Sequence, residues 1–204
     1  MSVQKVYLIH GLMGSRYEFR KINRALTANG FSTDFFSYKS RTDELRSVAE
    51  KLYKKVKEDN VSQVTFVTHS MGGLVLRAMC ELSDADKDFP LIFRVVMIAP
   101  PNQGAVSANT LYKNKFFRWI MGVNLKHICP SPDALSRTLP VPKIAEVGII
   151  AGVFKNDNDG EVKVEETKLG TEKDFVTVKA HHLYILQNTD AVHYTVNFLK
   201  KGTF

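Results

Sequence analysis

The sequence predicts an α/β fold in which a parallel sheet carries helices on both faces. Three observations lead there. Strand-length runs of β-branched and aromatic residues alternate with segments whose apolar residues recur every three or four positions, the rhythm of βα units. Turns rich in glycine or proline follow three of those runs, around Gly11, Ser70 and Pro100, at the carboxyl edge where open parallel sheets bind ligands. Finally, 204 residues with 44% hydrophobic content suit one domain, residues 1–204, built on a single large core.

The elements follow in order. Val3, Val6, Tyr7, Leu8 and Ile9 make the first strand, and His10-Gly11-Leu12-Met13-Gly14-Ser15 follows it. Glycines there would let a backbone N–H, that of Leu12, face a cleft, and the next helix carries Phe19, Ile22 and Leu26 on one face. A plain βα turn is the simpler reading of the same residues. Phe31 to Tyr38 is the second strand. Thr42 is then expected to cap a helix with Asp43 and Glu44 in its first turn, Leu45, Val48, Leu52 and Val56 inward, and lysines toward its end. Val64, Phe66 and Val67 mark a buried third strand, Val75, Ala78, Met79 and Leu82 the helix after it, and Phe93 to Ala99 the fourth strand. Ile144 to Ala151 reads as strand five, Phe175 to Val178 as strand six, and a last helix places Val192, Val196 and Leu199 inward with Gly202 past its end.

The third strand ends on Thr68-His69-Ser70-Met71-Gly72-Gly73. Strand, sharp turn and helix around a serine form the nucleophile-elbow pattern, in which small residues two before and two after the serine let the backbone turn tightly and lift Oγ out of the sheet. In the strict form both are glycine. Here the first is Thr68, which brings a hydroxyl and a methyl to a tight contact. A serine that merely N-caps a helix is the competing reading.

Between Ala105 and about Pro142 the pattern loosens, with one helix expected from Leu111 to Met121 and a proline-containing connection after it. A segment that long inside a compact domain is commonly a functional cover. Phe116, Phe117, Trp119, Ile120 and Met121 stand there beside Lys113, Lys115 and Arg118, so residues 105–142 are expected to wall a pocket, meet a lipid surface or serve as an ordinary core helix. Asn156 to Val162 is an acidic turn. Asp157, Asp159, Gly160 and Glu166 fall at calcium-loop positions, but Lys155 occupies the first ligand position and no helix pair flanks it, so no metal is expected. Cys80 and Cys129 lack metal or redox spacing. The net charge of +7 is compatible with weak contact with an anionic membrane surface or with acidic substrates, and no nucleic-acid motif accompanies it. With no signal-peptide pattern and no membrane-length apolar run, the expected location is the cytoplasm. The oligomeric state is not readable.

Ser70, an aspartate after strand five and a histidine after strand six occur in an order associated with one fold. Through His10-Gly11, the elbow, Asn158-Asp159-Gly160 with Val162, and His182 ahead of a helix ending Phe198-Leu199-Lys200, the sequence resembles the α/β-hydrolase superfamily, most closely its small bacterial lipase- and esterase-like members. The resemblance spans nearly the whole chain and implies six strands, mostly parallel, in the order 2-1-3-4-5-6. It also implies catalytic Ser70, Asp159 and His182, an oxyanion hole from the N–H groups of Leu12 and Met71, and no metal or cofactor. His10, Gly11, Phe116 and Trp119 are the expected substrate-contacting positions, with His10 and His69 shaping the cleft rather than serving as bases. The implied activity is hydrolysis of small or lipid-like carboxylic esters. An acyltransferase or thioesterase using the same residues, or a binding protein that kept the fold, are the alternatives.

Overall fold

A computed structural model describes residues 5–204; Val3, read above as opening the first strand, lies outside the described residues. Six strands, β1 (Lys5–Ile9), β2 (Ser32–Phe36), β3 (Gln63–His69), β4 (Leu91–Ile98), β5 (Glu146–Gly152) and β6 (Asp174–Val178), form one sheet ordered 2-1-3-4-5-6. Every pairing is parallel. The order reverses between β1 and β3, so the chain leaves the sheet in opposite directions at two adjacent carboxyl ends and opens a crevice there.

Helices α1 (Arg20–Ala28), α2 (Leu45–Glu58) and α3 (Gly72–Ser83) follow the first three strands. The segment after β4 folds into α4 (Val106–Lys113), α5 (Lys115–Met121), α6 (Leu125–Ile128) and α7 (Leu135–Thr138), and α8 (Thr189–Lys201) ends the chain. Two cores lie on opposite faces of the sheet. Phe66, Leu74 and Met79 belong to one, with α2, α3 and the segment after β4, while Leu8, Ile98 and Phe198 belong to the other, with α1 and α8.

Local structure departs from the sequence expectation in three places. Thr42 does not cap α2: the helix starts at Leu45, whose N–H donates to Asn124 Oδ1 at 3.0 Å. Asn124 also donates from Nδ2 to the Ser40 and Asp43 carbonyls at 2.8 and 2.7 Å, so a residue far along the chain supplies the cap and ties the segment after β4 onto the body. The expected single helix from Leu111 to Met121 is broken at Asn114, which takes an extended conformation and accepts from the Phe116 N–H, a regular N-cap for α5. On α3 the predicted inward stripe is too narrow. The helix is buried on all sides from Gly72 to Cys80 and Leu82 is exposed, because α2, the sheet and the segment after β4 enclose it. Arg77 is therefore buried without a carboxylate partner among the described residues. Burial lowers its pKa to about 10, and it donates to the carbonyls of Asn102 and Leu139 at 2.9 and 2.5 Å, bracing both ends of that segment.

Candidate active site

Among the described residues, left-handed backbone at residues other than glycine is concentrated at the sheet's carboxyl edge. Met13, Ser70, Ala99 and Asn156 follow β1, β3, β4 and β5, with φ of 57°, 51°, 49° and 54°. Such conformations cost about 1–3 kcal/mol each and persist where the surrounding structure over-determines them. At Ser70 the constraint is visible. Its N–H donates to Ile98 O at 2.9 Å and its carbonyl accepts from the Gly73 N–H at 2.9 Å. A Cβ on Gly72 would lie 2.5 Å from the Ile9 carbonyl, and one on Gly11 would lie 2.8 Å from Ser70 Cβ. The tight contacts of the elbow thus fall on Gly72 and Gly11. Thr68 is accommodated without a clash, fully buried in β3, although its hydroxyl finds no partner among the described residues.

Asp159 and His182 come together from the turns after β5 and β6. Asp159 is completely buried, with Oδ2 2.7 Å from His182 Nδ1. Its Oδ1 accepts from the N–H groups of Glu161 and Val162 at 2.9 and 2.7 Å, and its carbonyl accepts from the His182 N–H at 2.8 Å. Two glycines make this possible. A Cβ on Gly152 would fall 2.6 Å from Asp159 Cβ, and Gly160 turns the chain away at φ 102°. Asp157 is exposed, and His181 sits beside Phe154 and accepts from the Leu183 N–H, capping the turn that carries His182.

Ser70, His182, Gly11 and Leu12 line one cavity of about 680 Å³. No hydrogen bond joins Ser70 to His182 among the described residues; His182 Nε2 lies 3.6 Å from Glu161 Oε2 instead. Met71 is buried next to Ser70, and among the described residues the backbone N–H groups of Leu12 and Met71 donate to no acceptor. The far wall is apolar: Ala108, Leu111, Met121, Leu125 and Ile128, all from α4 to α6.

Three expected substrate-contacting positions are placed elsewhere. Phe116 and Trp119 are 62% and 73% exposed and do not line the cavity. In so short a helix, the turn toward the cavity is taken by Met121, with Leu111 from α4 beside it. His10 lies behind the wall, stacked on Tyr38 with ring centroids 4.3 Å apart. Its Nδ1 is 2.8 Å from the Gly11 carbonyl and its Nε2 is 3.4 Å from the Tyr38 N. Burial lowers its pKa, and this bonding suits a neutral ring that holds the loop. Ser40 Oγ, which accepts from the Met13 N–H at 2.8 Å, completes a path from Asn124 through Ser40 to that loop.

Two carboxylates escaped the sequence reading. Glu161 stands beside His182, and Glu18 lines the cavity with Oε1 3.5 Å from Nδ1 of the buried His69. Glu161 could have been found from its place two residues after Asp159, but no periodicity or motif marks Glu18.

Burial works against charge on His182, yet the hydrogen bond to Asp159 and the charges of Asp159 and Glu161 outweigh it, and the ring's pKa is raised above its ordinary value of 6.5. If the neutral ring is the working form, activity is lost as pH falls through that raised value, so the acid limb of kcat/KM lies above 6.5. Removing the Glu161 charge destabilises the imidazolium. The expected result for Glu161→Gln is an acid limb moved to lower pH with most activity retained; a pH–rate profile identical to that of the wild type would count against His182 as the titrating group.

Comparison with known proteins places the chain. A family model described as a domain of unknown function, DUF7379, matches residues 7–147, more than half of the molecule. The chain belongs to this family. The matched region of the DUF7379 protein holds the Gly11 loop, the Ser70 elbow and the cavity's apolar wall, while Asp159 and His182 lie beyond it. No curated protein matches the sequence. Among solved structures, the fold is similar to that of Bacillus licheniformis lipase BlEst2 in mature form, with a TM-score of 0.75 and 16% identity over 100% of this chain and 93% of that one. It is also similar to a carboxylesterase structure from the thaumarchaeon Nitrososphaera gargenis, with a TM-score of 0.71 and 12% identity over 98% and 91% of the two chains. The lin2722 gene product of Listeria innocua matches with a TM-score of 0.62 and 18% identity over 98% and 95%. These likenesses establish an α/β-hydrolase fold, as the motifs and the strand order implied.

Proposed function

We propose that this protein is a serine hydrolase that cleaves carboxylic esters through an acyl-enzyme on Ser70. The observation that carries the reading is the buried Asp159–His182 pair at 2.7 Å, whose ring shares a cavity with a serine held in left-handed backbone. Ser70 Oγ attacks the ester carbonyl while His182 Nε2 accepts its proton, and the C–O bond of the tetrahedral adduct then breaks as the ring returns that proton to the leaving alcohol. Water repeats the sequence on the acyl-enzyme, releasing the acid and freeing Ser70. Asp159 keeps the Nδ1 proton in place and stabilises the imidazolium. The free N–H groups of Leu12 and Met71 receive the oxyanion, a role worth about 2.7–4 kcal/mol per donor in enzymes where one has been removed. The Ser70–His182 hydrogen bond forms as substrate enters and Nε2 turns from Glu161, since such contacts are commonly loose without ligand. The lipase and carboxylesterase names of the structural neighbours support the same chemistry.

The apolar wall supports an acyl chain that lies on the side of Leu111, Met121 and Leu125. A panel of p-nitrophenyl esters of rising acyl length tests both parts of the reading. The expected result is turnover with a preference for medium chains, shifted toward short ones by Leu111→Trp and unchanged by Trp119→Ala. Loss of chain-length preference in Trp119→Ala with none in Leu111→Trp would put the acyl chain on the wrong side of α5, and no turnover of any ester would remove the hydrolase reading.

A further inference from the structure

Among the described residues, thirteen large hydrophobic side chains are exposed, and five of them stand at the cavity or on the short helix that backs its wall. Met13 and Leu183 sit at the cavity itself, and Phe116, Phe117 and Trp119 project from the outer side of its apolar wall. The three aromatic rings form a cluster, with Phe116 centroids 5.9 Å from Phe117 and 6.4 Å from Trp119. Interleaved with them are Lys113, Lys115 and Arg118, which are exposed and have no ion pair among the described residues, and residues 105–132 contain no aspartate or glutamate. By contrast, Lys51, Lys55 and Lys57 of α2 are paired with Asp43, Asp34 and Asp86.

The cluster is held outward by the backbone. Gly122 takes φ 83° where a Cβ would lie 2.1 Å from the Arg41 carbonyl, the Val123 N–H donates to that carbonyl at 2.9 Å, and Arg41 donates to the Trp119 carbonyl at 3.2 Å. With Asn124 anchored next to it, α5 presents its aromatics without any movement of the segment. Tryptophan and phenylalanine among cations without ion pairs, of which Arg118 rests over the Tyr112 ring at 5.3 Å, match the headgroup region of a bilayer, where aromatic rings sit at the interface and basic residues are drawn to anionic lipid.

We infer that α5 docks this protein on an anionic phospholipid surface, with the cavity mouth toward the lipid. Among the described residues no helix is long and apolar enough to cross a membrane, and the docking inferred is of a peripheral kind. Docking goes beyond the hydrolytic reading and is measured without turnover, so either can fail alone.

The chain supplies its own probe, because Trp119 is its one tryptophan. Vesicles of mixed phosphatidylglycerol and phosphatidylcholine should shift its emission to the blue and carry the protein down on sedimentation, with binding weakened by added salt. Vesicles of phosphatidylcholine alone should give only the weak, salt-insensitive part of both responses. Lys113→Gln combined with Lys115→Gln should weaken partitioning roughly thirtyfold, and Phe116→Ser with Phe117→Ser should remove the binding that survives salt. All four positions are exposed, and an unchanged far-UV spectrum checks each variant's fold. No blue shift with anionic vesicles overturns the inference, as does equal binding to phosphatidylcholine. A shift that grows with protein concentration in vesicle-free buffer would make a second copy of the chain the occupant and overturn it too.

Discussion

Ser70→Ala is expected to abolish both ester turnover and covalent labelling by a fluorophosphonate, with the wild-type protein carrying one adduct on Ser70. A fluorophosphonate phosphonylates a serine only where a base takes the hydroxyl proton and donors receive the phosphoryl oxygen, so labelling reports the assembled site rather than the presence of serine. Removing the nucleophile has cost about 10⁶ in kcat in a serine protease, and a loss of that order is expected here. The substitution removes one oxygen from a residue already held in place by Gly73 and Ile98, so the fold should be retained and thermal unfolding little changed. Intact-mass measurement after labelling decides. An unlabelled wild-type protein, or equal labelling of the alanine variant, leaves a binding protein on a hydrolase fold.

The second large effect separates neighbours. Asp159→Asn and His182→Ala are each expected to lose about four orders of magnitude or more in kcat, while Asp157→Asn and His181→Ala keep most activity. For Asp159→Asn the reason is tautomeric. The amide oxygen can still accept from the Glu161 and Val162 N–H groups, which turns the NH2 toward His182 Nδ1. That nitrogen must then accept, the ring proton moves to Nε2, and Nε2 can no longer take a proton from Ser70. Asp157 is exposed, and His181 packs on Gly160 and caps the turn that bears His182 without lining the cavity itself. Steady-state kinetics on one activated ester measure all four. Should Asp157→Asn and His181→Ala be the inactive pair, the register of both turns assigned to the chemistry is wrong while the fold stands.

Much of this was readable from residues because it is encoded locally. Alternating apolar runs and helical spacing place six strands, and the signal is strong because buried parallel strands are nearly continuous apolar runs. Asp159 is singled out by the glycine that follows it, and His182 by its register with Ile185 and Leu186, both buried in the structure. What sequence alone determined is the parallel sheet, its order through the family resemblance, and the residues standing at its carboxyl edge.

The tertiary structure decided which surfaces those segments meet. Phe116 and Trp119 are as apolar as Leu111 and Met121, yet one pair faces solvent and the other the cavity. In a helix of two turns with apolar residues on several sides, spacing says which residues share a face and nothing about what that face packs against. The same limit hid the cap on α2, because Asn124 lies 79 residues from Leu45, and hid Arg77, whose burial depends on carbonyls of a segment with no regular period. Glu18 reaches the cavity past Gly14, where a Cβ would fall 2.7 Å from its carboxylate. Such contacts follow from how distant segments pack, and no local pattern in the chain records them.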